Sequence, residues 1–200
     1  MEQYPYGHRA GALTMGLTTG EGTLLDVAHL LAAQLAAFLA VLLLASAAHK
    51  GMRFARTRKV VQEFAGVPRP ASAAVALAAA LGELLAAAAL LAPAYRLVGA
   101  SLAALIWGAY LALILRAIGQ GRREADCGCS FAPEAHPLGA FEVVRNVVLV
   151  TFAVLVGMSA ASGAVRVAAS QVLAACAFLV LYGALEQVMA VRPPRRGAAA

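Results

Sequence analysis

The chain has 200 residues, 62% of them hydrophobic and only 13% charged, with a formal net charge of +6 and a mean hydropathy of +0.79. A water-facing globular domain carries roughly 25% charged residues, so the composition excludes an ordinary soluble enzyme. The basic residues flank apolar runs, which assigns the positive charge to membrane orientation and leaves no expectation of a nucleic-acid partner.

Residues 1–23 carry Glu2, Glu21 and a single Arg9. They lack the basic start and short apolar core of a cleaved signal peptide, and read as an extracytoplasmic N-terminal segment. Spanning a bilayer core of ~30 Å takes ~20 apolar residues in helical form. Residues 24–47 meet that length, with Asp26 and His29 near the start. Residues 49–70 follow as a basic, partly amphipathic stretch, expected in the headgroup region. In it Met52, Val60, Val61, Phe64 and Val67 stand among Lys50, Arg53, Arg56, Arg58 and Lys59. The second span covers 71–93, interrupted by Glu83, and the third covers 97–118. A polar loop over 119–140 holds two of the three cysteines. The fourth span covers 143–161, with Arg145 and Asn146 at its entry. The fifth covers 167–191, with Glu186 and Gln187 near its end, and a basic, disordered tail is expected over 192–200.

Backbone groups in lipid must be satisfied internally, and these runs are continuous rather than alternating. The expected fold is therefore an all-α polytopic membrane bundle of about five transmembrane helices, 24–191 forming one domain. Alanine-rich spans such as the second let backbones approach closely and favour a compact bundle. Thirteen of the sixteen lysines and arginines fall on one side of this arrangement. The bias places the N-terminus outside and both the cysteine loop and the C-terminus in the cytoplasm.

Asp126-Cys127-Gly128-Cys129 is the sharpest local signal. Gly128 permits a tight backbone between the two sulfurs. A disulfide across one residue closes a very small ring, and strained disulfides are the labile, catalytic or regulatory kind. Arg122, Arg123 and Arg145 favour the thiolate, whereas Glu124 and Asp126 oppose it. Three readings stand open: a thiol-disulfide redox pair, a soft-metal site for copper or zinc using Cys127, Cys129 and His136, and unpaired structural thiols in a subunit of a larger membrane complex.

Glu83 falls in mid-span, where a charge is costly and usually functional. It reads either as a proton relay or polar anchor for a headgroup or quinone, or as a hydrogen-bonded lock on helix packing. His29 and Gln34 are its expected partners. His49 and Lys50 read as a helix-terminal charge and a snorkelling base. Arg145, Asn146, Glu186 and Gln187 frame either a polar pocket under the cysteine loop or an ordinary interfacial ion-pair set. Cys176 reads as a small core filler, and Trp107 and Tyr110 as packing residues. No P-loop, dinucleotide fingerprint, nucleophile elbow or His-Glu-x-x-His motif is present.

Several of these features recur in order: Ala47-Ala48-His49-Lys50, Gly82-Glu83-Leu84, Asp126-Cys127-Gly128-Cys129, His136-Pro137-Leu138-Gly139, Val144-Arg145-Asn146-Val147-Val148-Leu149 and Glu186-Gln187. Together they resemble the MauE (methylamine utilisation) family, within the broader DoxX-like membrane proteins, from about Leu24 to Ala190. The resemblance implies a multi-pass protein of the bacterial inner membrane. It further implies electron transport or disulfide handling that supports maturation of a partner, alongside a thioredoxin-like protein. It assigns Cys127 and Cys129 as the redox pair, with Lys50, Glu83, Arg145 and Asn146 in support. The stretch after Lys50 departs from the family pattern: it is more basic and lacks the Asp-Pro-like turn. Redox service to an exported substrate calls for thiols at the outer face, whereas the charge bias places this loop inside.

Overall fold

The computed structural model describes residues 19–122, 139–162 and 166–190. The elements in chain order are α1 (Thr19–Met52), α2 (Phe54–Phe64), α3 (Arg69–Leu91), a 3-10 turn (Pro93–Tyr95), α4 (Arg96–Gly119), α5 (Ala140–Ser162) and α6 (Ala169–Ala190). No strand occurs among the described residues. The five long helices each contain a stretch long and apolar enough to cross a membrane, starting in α1 at Val27. The chain thus forms an all-α polytopic bundle.

Helix α1 runs five residues past the apolar stretch 24–47 and carries His49 and Lys50 inside it. Its buried residues include Ala33, Ala36, Ala40, Leu43, Ala47 and Lys50, which alternate spacings of three and four. The same alternation appears in α4 through Arg96, Ala100, Ala103, Trp107, Ile114 and Ala117. Faces with this repeat offer gaps that side chains of a neighbouring helix can enter. Alanine and glycine make the gaps. A Cβ placed on Gly99 would come within 2.5 Å of the Leu90 backbone nitrogen and 2.7 Å of the Ala89 carbonyl carbon. That closeness sets the α3–α4 hairpin, with Pro93 opening the 3-10 turn between them. Arg96, buried at the hairpin tip, donates from Nε to the Leu90 carbonyl at 3.2 Å, satisfying one of the carbonyls that the end of α3 leaves open.

Gly82 lies beside Ile106 and Gly157 beside Ala100, so α3 and α5 both run antiparallel to α4. Helix α6 runs parallel to α1: Gln34 reaches the Gln171 carbonyl at one level, and Phe38 meets Phe178 and Tyr182 at the next. The C-terminal ends of α1, α4 and α6 and the N-terminal ends of α3 and α5 therefore share one end of the bundle.

Helix α2 lies at that end. It turns Val60 and Phe64 toward Leu113, Ile114 and Ala117 of α4 and leaves Arg58 and Lys59 exposed. Gly66, at φ 70°, makes the turn into α3. Gln62 of α2 donates to the Ser72 hydroxyl of α3 at 2.8 Å. The amphipathic stretch expected after the first span is thus a separate helix docked on the bundle.

Candidate functional site

Two ion pairs lie buried near the α2 end. Lys50 Nζ sits 2.7 Å from Glu83 Oε1, the two residues being 6% and 1% exposed. Arg145 Nη1 sits 2.7 Å from Glu186 Oε1, with exposures of 8% and 4%. Each residue occupies the inward register of its helix. Lys50 continues the α1 stripe three residues after Ala47. Glu83 lies seven residues after Ala76 and seven before Leu90, both buried. Glu186 follows the buried Ala175 and half-buried Leu179 and Tyr182 at the same alternating spacing. Helical register, not distance from the membrane surface, turns these charges inward.

The first pair is the centre of a small network. Lys50 Nζ donates to the Ser46 hydroxyl at 2.6 Å, and Ser46 Oγ donates to Glu83 Oε1 at 3.1 Å. The Tyr110 hydroxyl donates to the same oxygen at 2.8 Å, and Lys50 Nζ stands 5.4 Å from the centre of the Tyr110 ring. Glu83 Oε1 thus accepts from three groups, while the buried Oε2 accepts from none. Charge cancels between lysine and glutamate, and the hydroxyls spread what remains. Without such pairing, either charge at this depth would cost several kcal/mol.

The second pair joins α5 to α6. Beside it the Asn146 amide donates to the Glu142 carbonyl at 2.8 Å. The Glu142 carboxylate in turn accepts from the backbone N–H of Gly139 at 2.7 Å, three residues earlier, which fastens the start of α5. A cavity of about 30 Å³ separates the two pairs, bordered by Ser46, Tyr110, Arg145, Asn146, Trp107 and Tyr182. Its size is close to one water molecule's share of liquid, and its walls offer polar groups from α1, α4 and α5.

Several expectations change. His29 and Gln34 are not the partners of Glu83: Gln34 binds the Gln171 carbonyl at 3.4 Å, while Lys50, Ser46 and Tyr110 reach the carboxylate. Lys50 does not snorkel, since a carboxylate within the bundle compensates its ammonium where it lies. Tyr110 is a hydrogen-bonding member of the network as well as a packing residue. Gln187 is exposed on α6 and stays outside the polar layer that Arg145, Asn146 and Glu186 form. Cys176 is exposed on α6 rather than filling the core. Ser46 carried no signal of its own in the sequence; its place four residues before Lys50, on the same helix face, is the one that could have found it.

Cys127, Cys129 and His136 lie outside the described residues. The residues that flank their loop are described, and both lie at the α2 end. Arg122 hydrogen-bonds the Glu63 carbonyl of α2, and Gly139 caps α5. Among the described residues no group of three His, Cys, Asp or Glu side chains is placed to hold a metal ion.

Comparison with known families matches the chain to the family described as methylamine utilisation protein MauE, over residues 27–159. That interval takes in α1 from Val27 through most of α5, and with it Lys50, Glu83, Arg145 and Asn146. No curated protein matches, and no solved structure does.

Proposed function

The chain is a membrane protein of the MauE family, and on that premise we propose that it acts as a membrane thiol-disulfide redox protein supporting maturation of a partner protein. Cys127 and Cys129 cycle between dithiol and disulfide. Closing the disulfide forms one S–S bond and releases two electrons and two protons. The acceptor is the disulfide of a thioredoxin-like partner, which becomes a dithiol through a mixed disulfide, or a quinone, which becomes a quinol. The process served is the one in the family's description, methylamine utilisation.

The observation that carries this reading is the polar layer at the end of the bundle from which the cysteine loop departs. A purely structural bundle gains little from burying two ion pairs, because apolar residues of similar volume pack as well or better. Ionisable groups inside a membrane bundle commonly serve proton or substrate pathways. Lys50, Ser46, Glu83 and Tyr110 form a hydrogen-bonded set able to accept and pass a proton, which thiol oxidation requires. Arg145 and Asn146 stand in the second turn of α5, the helix that follows the loop in the chain. On this reading the bilayer is the plasma membrane of a bacterium, with the N-terminus outside and the loop and C-terminus in the cytoplasm.

Alkylation of membranes with a maleimide reagent, before and after mild reductant, tests the proposal. A reductant-dependent mass shift is expected that disappears in Cys127→Ser and Cys129→Ser. Glu83→Gln and Tyr110→Phe should slow reoxidation while leaving the cysteines able to pair. Thiols that remain reduced under all conditions, or full partner maturation with both cysteines replaced, would overturn it.

A further inference from the structure

Ser46 of α1 and Asn146 of α5 border the same cavity of about 30 Å³. The bonds they make leave each with an oxygen that can only accept. Lysine only donates and an ionised carboxylate only accepts. Ser46 Oγ therefore takes one bond from Lys50 Nζ at 2.6 Å and gives its single proton to Glu83 Oε1 at 3.1 Å. One lone pair remains on Oγ. The Asn146 amide is oriented by donation from Nδ2 to the Glu142 carbonyl at 2.8 Å, which identifies Oδ1 as the other atom. Asn146 is 1% exposed, and Oδ1 receives no hydrogen bond from the described residues. A buried amide oxygen without a donor is costly and uncommon.

We propose that this cavity is a binding site for one ordered water, which donates one hydrogen to Ser46 Oγ and the other to Asn146 Oδ1. Two acceptors on one small cavity call for a ligand with two donors. An anion has none. A cation is disfavoured, because Arg145 borders the cavity and no carboxylate does. An alkyl group would leave Oδ1 unsatisfied. The volume suffices, since one water needs about 10–15 Å³ of such space. The bridge asks nothing of the further bonding of Tyr110, Arg145 and Tyr182, which also border the cavity. Its consequence is a link between the two ion pairs. Lys50 stands on α1 and Arg145 on α5, and a single molecule joins those helices between them. Asn146 is thus a positioning residue for the water. The inference stands apart from the redox reading, because it uses neither cysteine.

Crystals of the full chain grown in a lipid mesophase, at a resolution that shows ordered water, test the site directly. One density peak is expected at about 2.5–3.0 Å from both Ser46 Oγ and Asn146 Oδ1. Asn146→Leu should lose it. Leu149→Phe narrows the cavity without removing a polar group; it should lose the peak too, and replaces Asn146→Leu if that variant does not fold. A second arm combines Ser46→Ala with Asn146→Leu and reads unfolding in mixed micelles. Both substitutions release the same water, so each should shift the unfolding equilibrium constant about fivefold less when the other is already present. Ser46→Ala combined with Gly108→Ala, which shares no ligand, should be additive. No peak, a peak bonded to only one of the two oxygens, or additive effects of Ser46→Ala and Asn146→Leu would overturn the proposal. So would an anomalous signal at the peak after exchange of chloride for bromide, which would assign the cavity to an anion.

Discussion

At the scale of single residues, opposite charges are matched within the bundle. Lys50 and Glu83 are each affordable only with the other present, so their effects must be coupled. Lys50→Met leaves a buried carboxylate uncompensated and should destabilise the protein by about 3–5 kcal/mol. Glu83→Gln in the same background removes the stranded charge and should recover part of that loss, with a coupling of about 0.5–3 kcal/mol. Unfolding of the four variants in mixed micelles measures this, and additive losses would mean that the pair is not an energetic unit. Tyr110→Phe, which deletes one of the donors to Glu83 Oε1, should cost less, about 1–3 kcal/mol.

At the scale of helices, small residues at contact positions decide how closely the spans approach. Gly99 is the sharpest case, because a methyl group there would press on the backbone of α3 rather than on a movable side chain. Gly99→Ala should therefore push α3 and α4 apart at a cost of about 1–3 kcal/mol. Gly108, on the same helix, has nothing within 4 Å of the position a Cβ would occupy. Gly108→Ala should be neutral, or stabilising by up to about 1 kcal/mol through helix propensity. Thermal unfolding of the two variants side by side checks the contrast, and equal effects would contradict tight α3–α4 contact as the cause. Helix α6 behaves differently. It packs mainly on α1, leaves Leu173, Phe178, Val180, Leu181 and Val188 exposed, and its buried link to α5 is the Arg145–Glu186 pair. That pair holds the outermost span where alanine packing alone offers little area.

At the scale of the whole molecule, orientation depends on basic residues outside the bundle. Lys50 and Arg145 are neutralised within it and contribute little to a flanking charge. Arg53, Arg56, Arg58, Lys59, Arg69, Arg116 and Arg122 also lie toward the α2 end, and the proposed cytoplasmic orientation of this end rests on such flanking residues. In intact cells, a membrane-permeant maleimide should therefore label Cys127 and Cys129 once reduced, and an impermeant one should not. A cysteine introduced at Arg9 should show the reverse. Labelling of the loop by the impermeant reagent would invert the topology and move the redox partner to the outer face.

The sequence by itself determined the membrane class, the five spans and which charged residues fall within them, because run length and the cost of charge in lipid are properties of the chain alone. It also carried the motifs that resemble the MauE family, which the match over residues 27–159 establishes. Only the tertiary structure decided who pairs with whom. Lys50 reads as snorkelling because it stands at the end of an apolar run, and its inward direction depends on the phase of a helix that continues past that run. Glu83 meets Lys50, Ser46 and Tyr110 because α3 runs antiparallel to α1 and α4, at levels set by the close approach at Gly99. Spacing along each helix was visible in the sequence, but the offset between helices comes from packing, and that offset made two ion pairs out of four separate charges.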